Sequence, residues 1–235
     1  MQAILKREIK SYFNSPIAYV LLGLFTFICA LFFYFVNIQS QSADFNPVFS
    51  TISFILIFIV PIMTMRILAE DRKNGTEVLL VSSPVSVWEI VLGKYLAMLV
   101  VFLIMTCIVA IFPIIIFMFG KPPIAPLLGS FIGFMLLGAS LISIGVFASS
   151  LTENQVIAVF LSFVMMLVIW LVESIGNALG GWAANVLNWF SLTSRYNNFT
   201  SGLLDIPSAV YFLSFISVFL FLTMRVIEKR RWSQG

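Results

Sequence analysis

Residues 48–66 read VFSTISFILIFIVPIMTMR, and no charge interrupts them before Arg66. A stretch of this length and composition is what a helix needs to cross the roughly 30 Å hydrocarbon core of a bilayer. Comparable stretches lie at 17–38, 88–119, 127–150, 154–173 and 207–226. Six spans in 235 residues, with a mean hydropathy of +1.08 and only 10% charged residues, leave room for little else. Each span is expected to be helical, because an open sheet edge finds no partners in hydrocarbon and no alternating pattern suggests a barrel. The fold class is therefore an all-α polytopic membrane protein with six transmembrane helices.

The third stretch is too long for one crossing. It is predicted to begin as a cytoplasmic extension and to bend near Pro113, whose ring removes a backbone hydrogen bond. Pro61 predicts a kink in the second span before Arg66 emerges into water. Residues 17–38 exceed the apolar core of a signal peptide, and no small-residue cleavage site follows them. Cys29 and Cys107 fall inside spans and read as small apolar packers. The chain has no histidine, so metal-ligand clusters and histidine-based catalysis have no footing.

Lysine and arginine in short loops set the orientation. Lys6, Arg7 and Lys10 precede the first span. Arg66, Arg72, Lys73 and Lys94 are counted with the loop between spans two and three, and Arg225, Lys229, Arg230 and Arg231 follow the last span. These are eleven of the thirteen basic residues; Lys121 and Arg195 fall on the other side. Both termini are predicted to be cytoplasmic in a multi-pass protein of the cell membrane. The net charge of +3 follows from that asymmetry and does not call for nucleic acid.

Residues 1–16 alternate at helical spacing, with Met1, Ile4, Leu5, Ile9, Tyr12 and Phe13 opposite Lys6, Arg7, Lys10 and Asn14. This predicts a short helix in the cytoplasmic interface that ends at Pro16. The loop 67–87 is densely punctuated. Glu70, Asp71, Arg72 and Lys73 extend a helix out of the membrane, and Gly75 fits its stop. Asn74 or Thr76, with Glu77, fits the start of another short helix carrying Val78, Leu79, Leu80 and Val81 up to Pro84. Ser86 with Glu89 then starts span three. Such punctuation holds one short apolar element in a fixed place, either against a partner surface or on lipid headgroups.

Gly129 and Gly133 in span four form a small-residue stripe whose better reading is packing within the chain. Thr152 with Gln155 makes a capping box at the short turn before span five. Residues 174–206 are the one sizeable external segment. There Trp182, Val186, Trp189 and Phe190 share helical spacing, and the segment is expected to dip into the outer interface as a re-entrant element. Asn198-Phe199-Thr200 matches a glycosylation sequon of the kind that arises by chance. Residues 227–235 form a cytoplasmic tail.

No phosphate-binding loop occurs, since Gly93-Lys94 lacks both the upstream glycine and the hydroxyl residue, and no G-x-S-x-G is present. Glu173 near the outer end of span five reads as an external gate residue, and the cores of the other spans read as uncharged. An ion-coupled carrier needs more intramembrane charge than this. The chain has transporter architecture without an internal energy source, so energy must arrive from a partner.

Three motifs carry a resemblance. They are Glu70 to Leu80 followed by Pro84 and Gly93-Lys94-Tyr95, the start Leu5-Lys6-Arg7-Glu8 with Ser15-Pro16, and the turn Gly145 to Gln155. Together they resemble ABC-2 type transporter permeases over essentially the whole chain, and among these the permease subunits of the gliding-motility-associated group. The resemblance implies an ABCG-like, type V exporter-like domain with an N-terminal connecting helix and a re-entrant external cap. It implies that Thr76 to Val81, with Glu77, Leu79 and Leu80, form a coupling helix docked on a separate cytoplasmic ABC ATPase, and that Glu70 to Lys73 lead into it. Thr152, Glu153, Asn154 and Gln155 become a second, smaller ATPase contact. Spans two and five would face a second permease subunit, in a homodimer or a heterodimer, with further membrane or extracellular subunits in some relatives. ATP and magnesium would be bound by the ATPase; no cofactor and no catalytic residue is expected in this chain. An exporter permease is the leading reading. The alternatives are a membrane anchor that tethers an ATPase without moving a substrate, and an autonomous channel or carrier.

Overall fold

In the computed structural model the apolar stretches are helices, as hydrocarbon requires of a backbone that has no water to bond with. The structure describes residues 1–76, 86–181, 187, 189, 191–202 and 205–233. Among them run, in chain order, α1 (Gln2–Phe13), α2 (Pro16–Phe33) with a π-helical turn (Tyr34–Gln39), α3 (Asn46–Thr64) and α4 (Ala69–Lys73). Then follow α5 (Val87–Val109), α6 (Ile111–Phe119), α7 (Ile124–Leu151), α8 (Gln155–Leu179), α9 (Leu192–Thr200) and α10 (Ile206–Ser233). Six runs are long and apolar enough to cross a membrane, counting α3 with α4 as one and α5 with α6 as another.

Helix α7 is the central pillar, packed against α3, α5, α8, α9 and α10. About 72% of its apolar window is buried, against 17% for α8. Its small residues explain how so many neighbours come close. A Cβ on Gly138 would lie 2.1 Å from Cζ of Phe102 on α5, and one on Gly145 would lie 2.1 Å from Oγ1 of Thr64 on α3. Gly129 and Gly133 receive Phe199 of α9: a Cβ on Gly129 would meet its carbonyl oxygen at 2.3 Å. The stripe therefore serves packing within the chain.

Helix α9 lies against α7 well inside the length of that helix. Gly133 lies nine residues into α7, about 13 Å along the axis at 1.5 Å per residue, and both Phe199 and Tyr196 rest against it. Leu192, Tyr196 and Phe199 are buried. Gly180, Gly181 and Gly202, all at positive φ, turn the chain on either side of this element. Trp182, Asn185, Val186, Asn188 and Phe190 lie outside the described residues. The amide of Asn198 donates to Asp205 and Ser208, so the sequon nitrogen is already engaged.

Three local expectations change. Pro61 does not interrupt α3, which continues to Thr64; the interruption comes at Met65–Leu68 instead. The bend expected near Pro113 corresponds to a helix interruption one turn before it, at Ala110, because the proline ring leaves the carbonyl of Val109 without its donor and crowds it. At the start of α8 the cap is Asn154, which accepts from the Val156 N–H at 2.9 Å, while Thr152 accepts from the Asn154 N–H at 3.1 Å. The Thr152–Gln155 box is not formed. Ser86 does cap α5, accepting from the Glu89 N–H at 3.2 Å.

Candidate functional site

The interruption between α3 and α4 leaves backbone groups that must find partners elsewhere, since a buried orphan is costly. Ser149 near the end of α7 supplies three of them. Its hydroxyl accepts from the N–H groups of Leu68 and Ala69, each at 3.1 Å, and donates to the carbonyl of Met65 at 3.1 Å. Lys94 of α5 supplies a fourth by donating to the carbonyl of Ile67 at 2.6 Å. The break is thus held from two sides by residues distant in sequence.

Lys94 is only 1% exposed. An ammonium has three protons to place; here it donates to the carbonyl of Ile67 and to Glu8, and it stands beside Asp71 as an ion pair. Beyond Ile67, Nζ lies 2.9 Å from Oε1 of Glu8 on α1 and 2.5 Å from Oδ2 of Asp71 on α4. Both carboxylates are largely covered, at 13% and 12% exposure. The other oxygen of Asp71 accepts from Arg7 at 3.1 Å and from the Thr76 hydroxyl at 2.7 Å. Two cations and two anions therefore balance, with Lys94, Glu8 and Asp71 covered and Arg7 half-exposed at the rim; the covered members hold only while they keep their partners.

Local sequence explains why α1 can approach so closely. Gly93 presents no side chain, and a Cβ there would press on Ile4 at 3.2 Å. Tyr95 points the other way and donates to the carbonyl of Ala139 on α7 at 3.1 Å. The triplet Gly93-Lys94-Tyr95 thus joins α1, α4 and α7 around α5. Tyr12 of α1 is half-buried with its hydroxyl covered, and desolvation raises its phenol above the ordinary value, with nearby Arg66 opposing.

Two further ion pairs extend the cluster. Arg66 grips Glu70 with two parallel bonds of 2.7 and 3.0 Å and donates to Ser15 at 2.9 Å, which fixes the junction of α1 and α2. Arg72 meets Glu153 at 2.6 Å, which joins α4 to the turn between α7 and α8. Arg230 near the end of α10 donates to the carbonyl of Ser150. The first and last helices and both ends of the break therefore converge at one end of the bundle.

Of the residues read from sequence, Glu70, Asp71, Arg72, Thr76, Glu153 and Asn154 are brought together here. Gly75 takes φ +71°, the left-handed conformation that ends α4. Lys73 is exposed, and Gln155 opens α8. Glu77, Leu79, Leu80 and Pro84 lie outside the described residues. Thr76 directs its hydroxyl back to Asp71. Glu173 stands apart, half-buried near the far end of α8.

Lys94, Glu8 and Ser149 carry the site; each lies inside one of the three motifs that carry the resemblance, but the motifs alone assign none of them a contact. Counting Lys94 as a loop charge was the error, because it lies inside the apolar run Val87–Phe119. A lone ammonium in such a run was the available signal. Among the described residues no three of His, Cys, Asp or Glu converge as a metal site needs.

The family described as ABC-2 family transporter protein matches residues 36–227, most of the sequence. No curated protein matches it.

Proposed function

This chain belongs to the ABC-2 family of transporter proteins, and on that premise we propose that it is the permease through which a separate ATPase drives substrate export. The proposal has the cluster end of the bundle facing the cytoplasm and residues 76–81 docking on the ATPase, which binds ATP and magnesium. Displacement of that docked element would enter the bundle through Asp71 and Arg72. From Asp71 it would pass to α5 through Lys94 and to α1 through Glu8 and Arg7. From Arg72 it would pass to the α7–α8 turn through Glu153. A second permease subunit would sit on α3 and α8, whose Phe54, Phe58, Phe160, Val164 and Val168 are exposed.

One observation carries this reading: a fully covered lysine ties the lead-in of the docking element to two other helices at once. A force delivered to a flexible loop would dissipate, whereas a cluster with all partners placed moves as a body. The test is site-specific crosslinking from Leu79→Cys in the assembled complex. The expected product is a crosslink to the ATPase subunit whose yield changes with ATP. Capture of phospholipid alone, with and without ATP, contradicts the docking role.

A further inference from the structure

At the end of the bundle opposite the termini, α8 and α10 both rest on α7, and a groove of about 730 Å³ opens between them. Ile169 of α8 lines one side, and Pro207, Tyr211, Phe215 and Phe219 of α10 line the other. From Pro207 to Phe219 the α10 wall runs about 18 Å at 1.5 Å per residue, which is about the depth of one leaflet of a 30 Å core. Within a bilayer such a furrow takes an acyl chain whatever the headgroup.

What makes it selective is Arg195 of α9, which also lines it. Its guanidinium stands 5.5 Å from the centre of the Tyr211 ring. Among the described residues nothing accepts a hydrogen bond from it, and its Nε is buried without a partner. Asp205 feels its charge, but that carboxylate takes its hydrogen bonds from Ser208 and Asn198. A guanidinium held by a ring and lacking an acceptor is costly to keep. A phosphate diester matches its planar fork with two charge-assisted bonds, and only in a lipid whose headgroup carries no cation of its own is the diester's charge left for the guanidinium to neutralise.

We infer that this groove binds one anionic phospholipid, its phosphate on Arg195 and one acyl chain along α10. The site is separate from the ion cluster and stands whether or not the ATPase reading holds.

The test is native mass spectrometry of the full chain released from nanodiscs of equimolar phosphatidylcholine and phosphatidylglycerol. Wild type is expected to retain a single phosphatidylglycerol in preference to phosphatidylcholine. Arg195→Gln should reduce that preference about tenfold, the equivalent of one charge-assisted hydrogen bond. Arg195→Lys should keep part of it, and Lys121→Gln all of it. Val210→Trp, which fills the groove with Arg195 intact, should lose the retained lipid. Equal retention of the two lipids by wild type, or an unchanged preference in Arg195→Gln, overturns the inference. So does loss of the preference in Lys121→Gln, since that marks a general charge effect.

Discussion

The two ends of this bundle are held by different physics. At the end with the termini, helices meet through ionised side chains: Lys94 with Glu8 and Asp71, Arg72 with Glu153, Arg66 with Glu70. At the other end α9 is seated by shape, its Phe199 and Tyr196 against the glycines of α7, with Arg195 left unbonded among the described residues. Ionic contacts are directional and fail as a unit when one partner is lost. Close apolar contact tolerates charge changes but not added volume. The two ends are therefore expected to answer differently to lost charge and to added volume.

The contrast predicts opposite sensitivities. The largest effect is expected at Lys94→Met, which leaves Glu8 without its cation and Asp71 with Arg7 alone, and should cost about 3–5 kcal/mol. Thermal unfolding in detergent measures it, and adding Glu8→Gln and Asp71→Asn should restore much of the loss. If the triple change is no better than the single one, charge imbalance is not the cause. A smaller loss, about 1–3 kcal/mol, is expected for Gly129→Ala, because the new methyl meets a backbone oxygen that cannot rotate away. Limited proteolysis around α9 should accelerate in this variant while the Lys94 end stays protected. Acceleration at both ends equally would erase the distinction between them.

The smallest effect is a pH dependence at Asp205. Hydrogen bonds from Ser208 hold this carboxyl below its usual 3.8 against an opposing desolvation, helped by Asn198 and Arg195. A carboxyl whose folded value is depressed contributes stability above the unfolded value, and loses it as pH falls through the folded one. Asp205→Asn should therefore melt below wild type at pH 6, and the gap should shrink as the pH falls below 3.8 and close once it has passed the still lower folded value. A gap that persists in acid would assign the effect to geometry.

The spans were legible because a bilayer imposes one length and one composition on every crossing helix. Gly75 and Ser86 were legible because stops and caps are local. The cluster was not. Lys94 and Glu8 are 86 residues apart, and nothing near either announces the other. Ser149 reads as one small residue among many in α7, and only the break beside it gives its hydroxyl a purpose. Pro61 was misleading for a related reason: the place where a helix opens depends on who can satisfy the freed groups, and Ser149 and Lys94 wait at Met65–Leu68.

The central claim is that α1 and α4 move as one body with α5. Spin labels on Lys6→Cys and Lys73→Cys, both exposed positions, report this directly by pulsed dipolar spectroscopy in the complex with its ATPase. One narrow distance distribution is expected, unchanged between the nucleotide-free and ATP-bound states, that broadens when Asp71→Asn is added. A wild-type distance that shifts with ATP, or a variant as narrow as wild type, contradicts it.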